Sequence, residues 1–215
     1  MLISRRKFLK NASMMIAGFL LRPANLFLEM FEFPVVDRLG RVNVGKVEIK
    51  KRPNADSQTV SVLYEDAVVA WVREVVGTNP YRNNKRYVET PEGYIWAPYL
   101  QPVRNNPNLP VESLPNSSRG VGMWVEVSVP YVDLVLSSPP ARSPGLQNRI
   151  ETNFSPRLYY SQITWVDQTK LDLDGRILYR VNEPFGSYGD IYWALGEAFR
   201  PLTTDEISPI NPNVT

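Results

Sequence analysis

Two stretches of this chain close in the same way, about ninety residues apart. Residues 87–103 read Tyr-Val-Glu-Thr-Pro-Glu-Gly-Tyr-Ile-Trp-Ala-Pro-Tyr-Leu-Gln-Pro-Val. They have the form of a short strand, a turn at Pro91-Glu92-Gly93, a second strand and a tight descent into Tyr99-Leu100. Later, Tyr179-Arg180-Val181 leads through a turn-rich loop to Ile191-Tyr192-Trp193-Ala194 and Phe199-Arg200-Pro201-Leu202. Both stretches carry Trp-Ala and then an aromatic. Both end on a Gln/Arg-Pro-apolar tripeptide, Gln101-Pro102-Val103 and Arg200-Pro201-Leu202. Such self-similarity marks a duplicated unit, and it restricts the chain to folds that a small β-unit can close twice.

The flanking residues give each unit its strands. Val42, Val44, Val47 and Ile49 mark a first extended stretch, and residues 51–57 a polar loop. Val60-Ser61-Val62-Leu63-Tyr64 alternates as a half-buried strand does. Residues 68–76 are dense in β-branched side chains and stop at Gly77, which favours a strand over a helix. Turns every 8–12 residues point to a small all-β barrel. Residues 105–122, rich in Pro, Gly, Asn and Ser, read as a linker.

The second unit opens with Trp124/Glu126/Ser128 on one face and Val125/Val127/Val129 on the other. A strand around Trp165 is the counterpart of the one around Trp71. Asp174-Gly175, between alternating flanks, is the sequence signal of a type I′ hairpin turn. The expected organisation is a signal segment at 1–33, a first unit at 38–104, the linker, a second unit at 123–202 and an extended tail at 203–215.

Composition removes whole classes of chemistry. The chain of 215 residues has no cysteine and no histidine. It therefore has no disulfide, no thiol nucleophile and no Ser-His-Asp or Cys-His site. The net charge of +2 arises at the N-terminus. Residues 1–22 hold Arg5, Arg6, Lys7, Lys10 and Arg22 with no acid, and the other 19 of the 24 basic residues face all 22 acidic ones. That balance does not suggest a nucleic-acid surface.

Ser4-Arg5-Arg6-Lys7-Phe8-Leu9-Lys10 fits the twin-arginine export signal at every position. The Arg5-Arg6 pair is an address read by a receptor. The apolar run at 14–21 is shorter than the roughly 20 residues a spanning helix needs. Membrane contact is expected only through this signal segment.

With these residues in view, both units resemble bacterial SH3-like barrels. Each has an early Arg near Pro or Ser (Arg52-Pro53; Arg142-Ser143-Pro144), a Trp-centred strand, and a closing strand after Trp-Ala and an aromatic. The order of signal, Gly-Tyr-Ile-Trp-Ala-Pro-Tyr-Leu-Gln-Pro-Val unit, Tyr-Tyr-Ser-Gln-Ile-Thr-Trp-Val-Asp unit and Phe-Arg-Pro-Leu-Thr ending resembles the N-terminal region of exported L,D-transpeptidases. The resemblance implies a cell-envelope location, and peptidoglycan or a downstream catalytic domain as partner. That family's chemistry depends on a Ser-His-Gly-Cys motif. This chain has no histidine and no cysteine, so no catalytic residue carries over.

The candidate ligand residues are Tyr94, Trp96 and Tyr99, rings with polar tips around the closing turn, where an SH3-like domain holds extended ligands. No metal or cofactor site is expected. Asp172-Leu173-Asp174-Gly175 lacks the remaining ligands of a calcium loop. The acids Asp167, Asp172, Asp174, Glu183 and Asp190 fall in turns or on solvated faces, which ranks a carboxylate-dependent hydrolase below a binding module or a ligand-free spacer.

Overall fold

Apolar alternation sets the strands of an all-β chain with a few short helices. The computed structural model describes residues 33–207 apart from 118, 153–154 and 183–187. The first unit comprises β1 (Leu39–Val42), β2 (Lys46–Lys50), β3 (Thr59–Tyr64), β4 (Val68–Ala70), β5 (Arg73–Val76), β6 (Arg86–Thr90) and β7 (Gly93–Trp96). A 3-10 turn, Ala97–Tyr99, then leads into β8 (Leu100–Val103). A ribbon of β9 (Asn116–Ser117) and β10 (Gly120–Val121) follows. The second unit comprises β11 (Met123–Val127), β12 (Tyr131–Asp133), β13 (Val135–Leu136), α1 (Pro144–Glu151), β14 (Arg157–Tyr159), β15 (Ile163–Leu171), β16 (Ile177–Asn182) and β17 (Ile191–Leu195). A second 3-10 turn, Gly196–Ala198, precedes β18 (Phe199–Pro201), and α2 (Thr204–Ile207) follows. Apart from Phe33, the signal segment lies outside the described residues. So do Glu183 and the last part of the tail.

The two units share one register. In the first, β1 pairs with β8 (Arg41 opposite Gln101) and β4 (Arg41 opposite Val68). In the second, β11 pairs with β18 (Glu126 opposite Arg200) and β15 (Glu126 opposite Ile163). The hairpin β6–β7 sets Tyr87 opposite Trp96 and Glu89 opposite Tyr94, while β16–β17 sets Leu178 opposite Leu195 and Arg180 opposite Trp193. The pairing of β2 with β3 (Val47 opposite Leu63) recurs as β12 with β14 (Val132 opposite Leu158). Lys50 opposite Tyr94 recurs as Val135 opposite Trp193.

This register corrects one match made from sequence. Trp96 is the residue that enters its 3-10 turn, and its counterpart is Leu195; Trp193 lies two positions earlier, level with Tyr94. The entry residues have nearly identical dihedrals (φ −63°, ψ 120° at Trp96; φ −60°, ψ 122° at Leu195). The tripeptide match holds, with Pro102 and Pro201 at the same place on the closing strands.

The cores fill the same space with different residues. Val42, Val47, Trp71, Val88, Ile95 and Leu100 pack in the first unit. Their register equivalents Val127, Val132, Val166, Tyr179, Ala194 and Phe199 are buried in the second. Where Val166 replaces the large Trp71, Tyr179 and Phe199 replace the smaller Val88 and Leu100, with ring centroids 6.0 Å apart. Interiors are packed densely enough that such size changes must compensate.

Residues 68–76 bend rather than run straight. β4 belongs to the three-stranded sheet and β5 to the five-stranded one, and the change occurs at Trp71-Val72. The amide of Trp71 donates to Arg38 and that of Val72 to Glu89. Residues 105–122 lie against the second unit: the amide of Asn108 donates to the Glu197 carbonyl, and that of Val111 to the Tyr179 hydroxyl (2.7 Å).

The units differ in their loops. Between β2 and β3 there are eight residues; the equivalent loop of the second unit holds α1, which was not foreseen from sequence. Ser143 caps this helix through its side chain and Pro144 occupies its first turn. The buried Asp190 carboxylate accepts from the amides of Arg142 (2.7 Å) and Ser143 (3.1 Å), fixing the loop to the start of β17. The Asp174-Gly175 turn is not type I′. That turn needs positive φ at both central residues, and only Gly175 has it (φ 77°). The loop runs from Asp172 to Arg176 instead. The Asp172 carboxylate accepts from the amides of Asp174 and Arg176, and the Asp172 amide donates to the Arg176 carbonyl.

Candidate functional site: an aromatic and charged cleft on the first unit

Strand geometry supplies one wall of the cleft. Along β2 the buried Val47 and Ile49 alternate with Lys46, Glu48 and Lys50, so these three charges form an outward row. The opposite wall is the closing turn. In a 3-10 turn, side chains three apart stack above one another. Trp96 and Tyr99 meet edge to face, ring centroids 4.9 Å apart. Between the walls is a cavity of about 370 Å³ lined by Lys46, Glu48, Lys50, Tyr87, Trp96 and Tyr99, among others.

The cleft residues are held in place. Trp96 Nε1 donates to the Asn84 carbonyl (2.9 Å), and the Arg82 guanidinium lies 5.5 Å from its ring centroid. Lys50 Nζ pairs with Glu48 (2.7 Å) and donates to Thr59 Oγ1 (3.1 Å). Hydrogen bonds from Lys50 and then Thr59 hold the Glu48 carboxyl below its ordinary range. The Tyr87 hydroxyl donates to the Thr78 carbonyl (3.1 Å), and burial pushes its titration up. Of the three rings expected from sequence, Trp96 and Tyr99 come together here. Tyr94 lies on the sheet opposite Lys50 and Glu89 and is not among the lining residues. Sequence reading passed over the charged row of β2, although its alternation with Val47 and Ile49 was the available signal.

The second unit acts as an internal control. Its register equivalents of Lys46, Lys50, Tyr87, Trp96 and Tyr99 are Tyr131, Val135, Leu178, Leu195 and Ala198. Leu195 is 2% exposed and Ala198 1%, so the places of Trp96 and Tyr99 are closed, while the half-buried Tyr131 and Val135 replace the two lysines with uncharged side chains. The inward positions stay apolar in both units. The second unit therefore closes the same strand arrangement without a ring at the places of 96 and 99 or a cation at those of 46 and 50, although Tyr99 also packs against the core of its own unit.

A second polar cluster joins the units. Asp66, at a turn with φ 68°, accepts from Arg41 NH1 (2.5 Å) and from Arg157 NH1 (2.6 Å). Arg157 Nε also pairs with Asp133 (2.5 Å), and Arg41 donates to Gln101 Oε1. Each guanidinium covers a ring, Arg41 over Tyr159 at 4.1 Å and Arg157 over Tyr131 at 4.3 Å. Burial alone would lower the Arg157 titration, but Asp133 and Asp66 outweigh it and bind its proton more tightly than usual. Burial pushes both tyrosines up. Here the charges satisfy one another, which makes the cluster a joint rather than a reactive site.

Among the described residues, the acids weighed from sequence are occupied, Asp174 by Arg176 at 3.2 Å. Asp167 pairs with Arg180 (2.6 Å), Asp172 with Arg176 (2.8 Å), and Asp190 caps the α1 loop. No family model matches the chain, and no curated protein matches it.

Proposed function

We propose that this chain is a non-catalytic, exported binding module that places an envelope protein against peptidoglycan, as the region preceding the catalytic domain of an L,D-transpeptidase does. In this reading the two units are SH3-like barrels in tandem. A strand meander with a 3-10 turn before the closing strand, present twice, is in keeping with it. The observation that carries the reading is the cleft. The rings of Trp96 and Tyr99 and the cations Lys46 and Lys50 are present on the first unit, and the second closes the same strand arrangement without them. The twin-arginine motif supports export, and the absence of histidine and cysteine supports a role without covalent chemistry.

The test is co-sedimentation of the full chain with insoluble peptidoglycan. Retention of the wild-type protein and loss of retention in W96A/Y99A support the module. Absence of wild-type retention leaves a ligand-free spacer, the reading that the Asp66 joint would then favour.

A further inference from the structure

We infer that the cleft of the first unit takes an acidic saccharide: a short run of hexose rings bearing carboxylates. The inference rests on the reading of this cleft as a binding site, and it adds the chemistry of the ligand. Three observations lead to it.

Glu48 is already answered, because Lys50 and Thr59 both bond its carboxylate. The exposed Lys46 at the rim, and Lys51 and Arg52 past the end of the β2 row, have side chains that make no ion pair among the described residues. The loop that holds Lys51 and Arg52 also contributes Ala55 to the lining. Lys46 thus leaves the cleft itself one net positive charge, and Lys51 and Arg52 against Asp56 leave one more in the adjoining pocket of that loop, so a ligand that runs from the cleft onto the loop meets positive charge along its length. Finally, Trp96 presents a ring immobilised by Asn84 and Arg82, with Tyr99 set against it at 81°. A fixed aromatic face suits the C–H face of a sugar ring better than a flexible side chain, because little conformational freedom is lost on contact. Carboxylates then meet ammonium and guanidinium groups in charge-assisted hydrogen bonds.

The experiment is isothermal titration of the full chain with trigalacturonate, with uncharged tri-N-acetylchitotriose, and with tricarballylate, a polycarboxylate without rings. Trigalacturonate is expected to bind at least tenfold more tightly than either of the others, and to weaken as salt rises. The charge reversals K46E, K51E and R52E alter exposed residues and leave the fold intact. Combined, they are expected to reduce trigalacturonate binding at least tenfold, with an unchanged melting temperature. Equal binding of the neutral trisaccharide, or no binding of trigalacturonate, overturns the inference. Peptidoglycan retention that survives the triple reversal overturns it while leaving the wall-binding reading in place. Trigalacturonate binding without peptidoglycan retention does the reverse.

Discussion

Asp66 and Arg157 meet at 2.6 Å from opposite units of the duplication, and the same carboxylate holds Arg41 at 2.5 Å. The side chains of Asp66 and Arg41 are 12% and 10% exposed. Removing one member of a buried ion pair strands its partners and costs about 3–5 kcal/mol; the greater exposure of Arg157 reduces this. D66N keeps the side-chain shape and tolerates φ 68°, so it isolates the charge. It is expected to destabilise the chain by about 2–4 kcal/mol in urea unfolding. D66N/R157A is expected to cost less than the sum of its single changes, which a double-mutant cycle measures.

Truncating the rings of the cleft separates binding from stability. Trp96 and Tyr99 are half-buried, so W96A is expected to cost about 1–2 kcal/mol, within the range for a partly exposed side chain. The same variant is expected to lose most of its peptidoglycan retention. The matched change on the second unit, L195A, removes a core side chain: it is expected to cost about 2–4 kcal/mol and leave retention intact in the folded fraction.

Gly196 marks where the 105–122 segment docks. A Cβ there would lie 2.8 Å from Pro110 Cβ and 3.0 Å from the Ile177 carbonyl oxygen. The equivalent residue of the first unit, Ala97, carries that atom without difficulty. G196A is expected to cost about 1–3 kcal/mol by overpacking, and to speed protease cleavage within residues 105–112 before the sheets open. Limited proteolysis followed by mass spectrometry reads both effects.

Glu206 gives the chain a local acid response. Hydrogen bonds from Arg200, and then from the Thr203 amide, hold its carboxyl well below the ordinary 4.5, at about 2. A carboxyl depressed in the folded state contributes stability that is present above its unfolded value and lost as pH falls through the folded one. The Thr203–Glu206 contact is thus expected to stay intact down to about pH 4.5 and to loosen as pH falls toward 2. Nuclear magnetic resonance titration of the Thr203 amide follows it, and E206Q abolishes the titration.

Much of the fold is legible in the sequence, since alternation such as Val47/Ile49 and Val125/Val127 states which face is inward, and the closing tripeptides mark where each unit ends. Other features are not, for definite physical reasons. The helix α1 starts at Pro144-Gly145, a pair that reads as a loop, and becomes visible only through its Ser143 cap. Asp174-Gly175 carries a hairpin signal, but the Asp172 carboxylate organises a wider loop around it. Trp96 and Tyr99 could be placed together because they flank a Pro-containing turn. The Asp66–Arg157 joint spans residues 91 apart in sequence, and no local pattern announces a contact of that range.

Among the described residues every ladder outside the β9–β10 ribbon closes within its own repeat, and no sheet holds strands from both. Side chains around the Asp66 turn therefore supply the polar lock from one repeat to the other. Tension applied to the polypeptide would shear that lock before it unzipped any strand, so this protein should yield to mechanical load in steps.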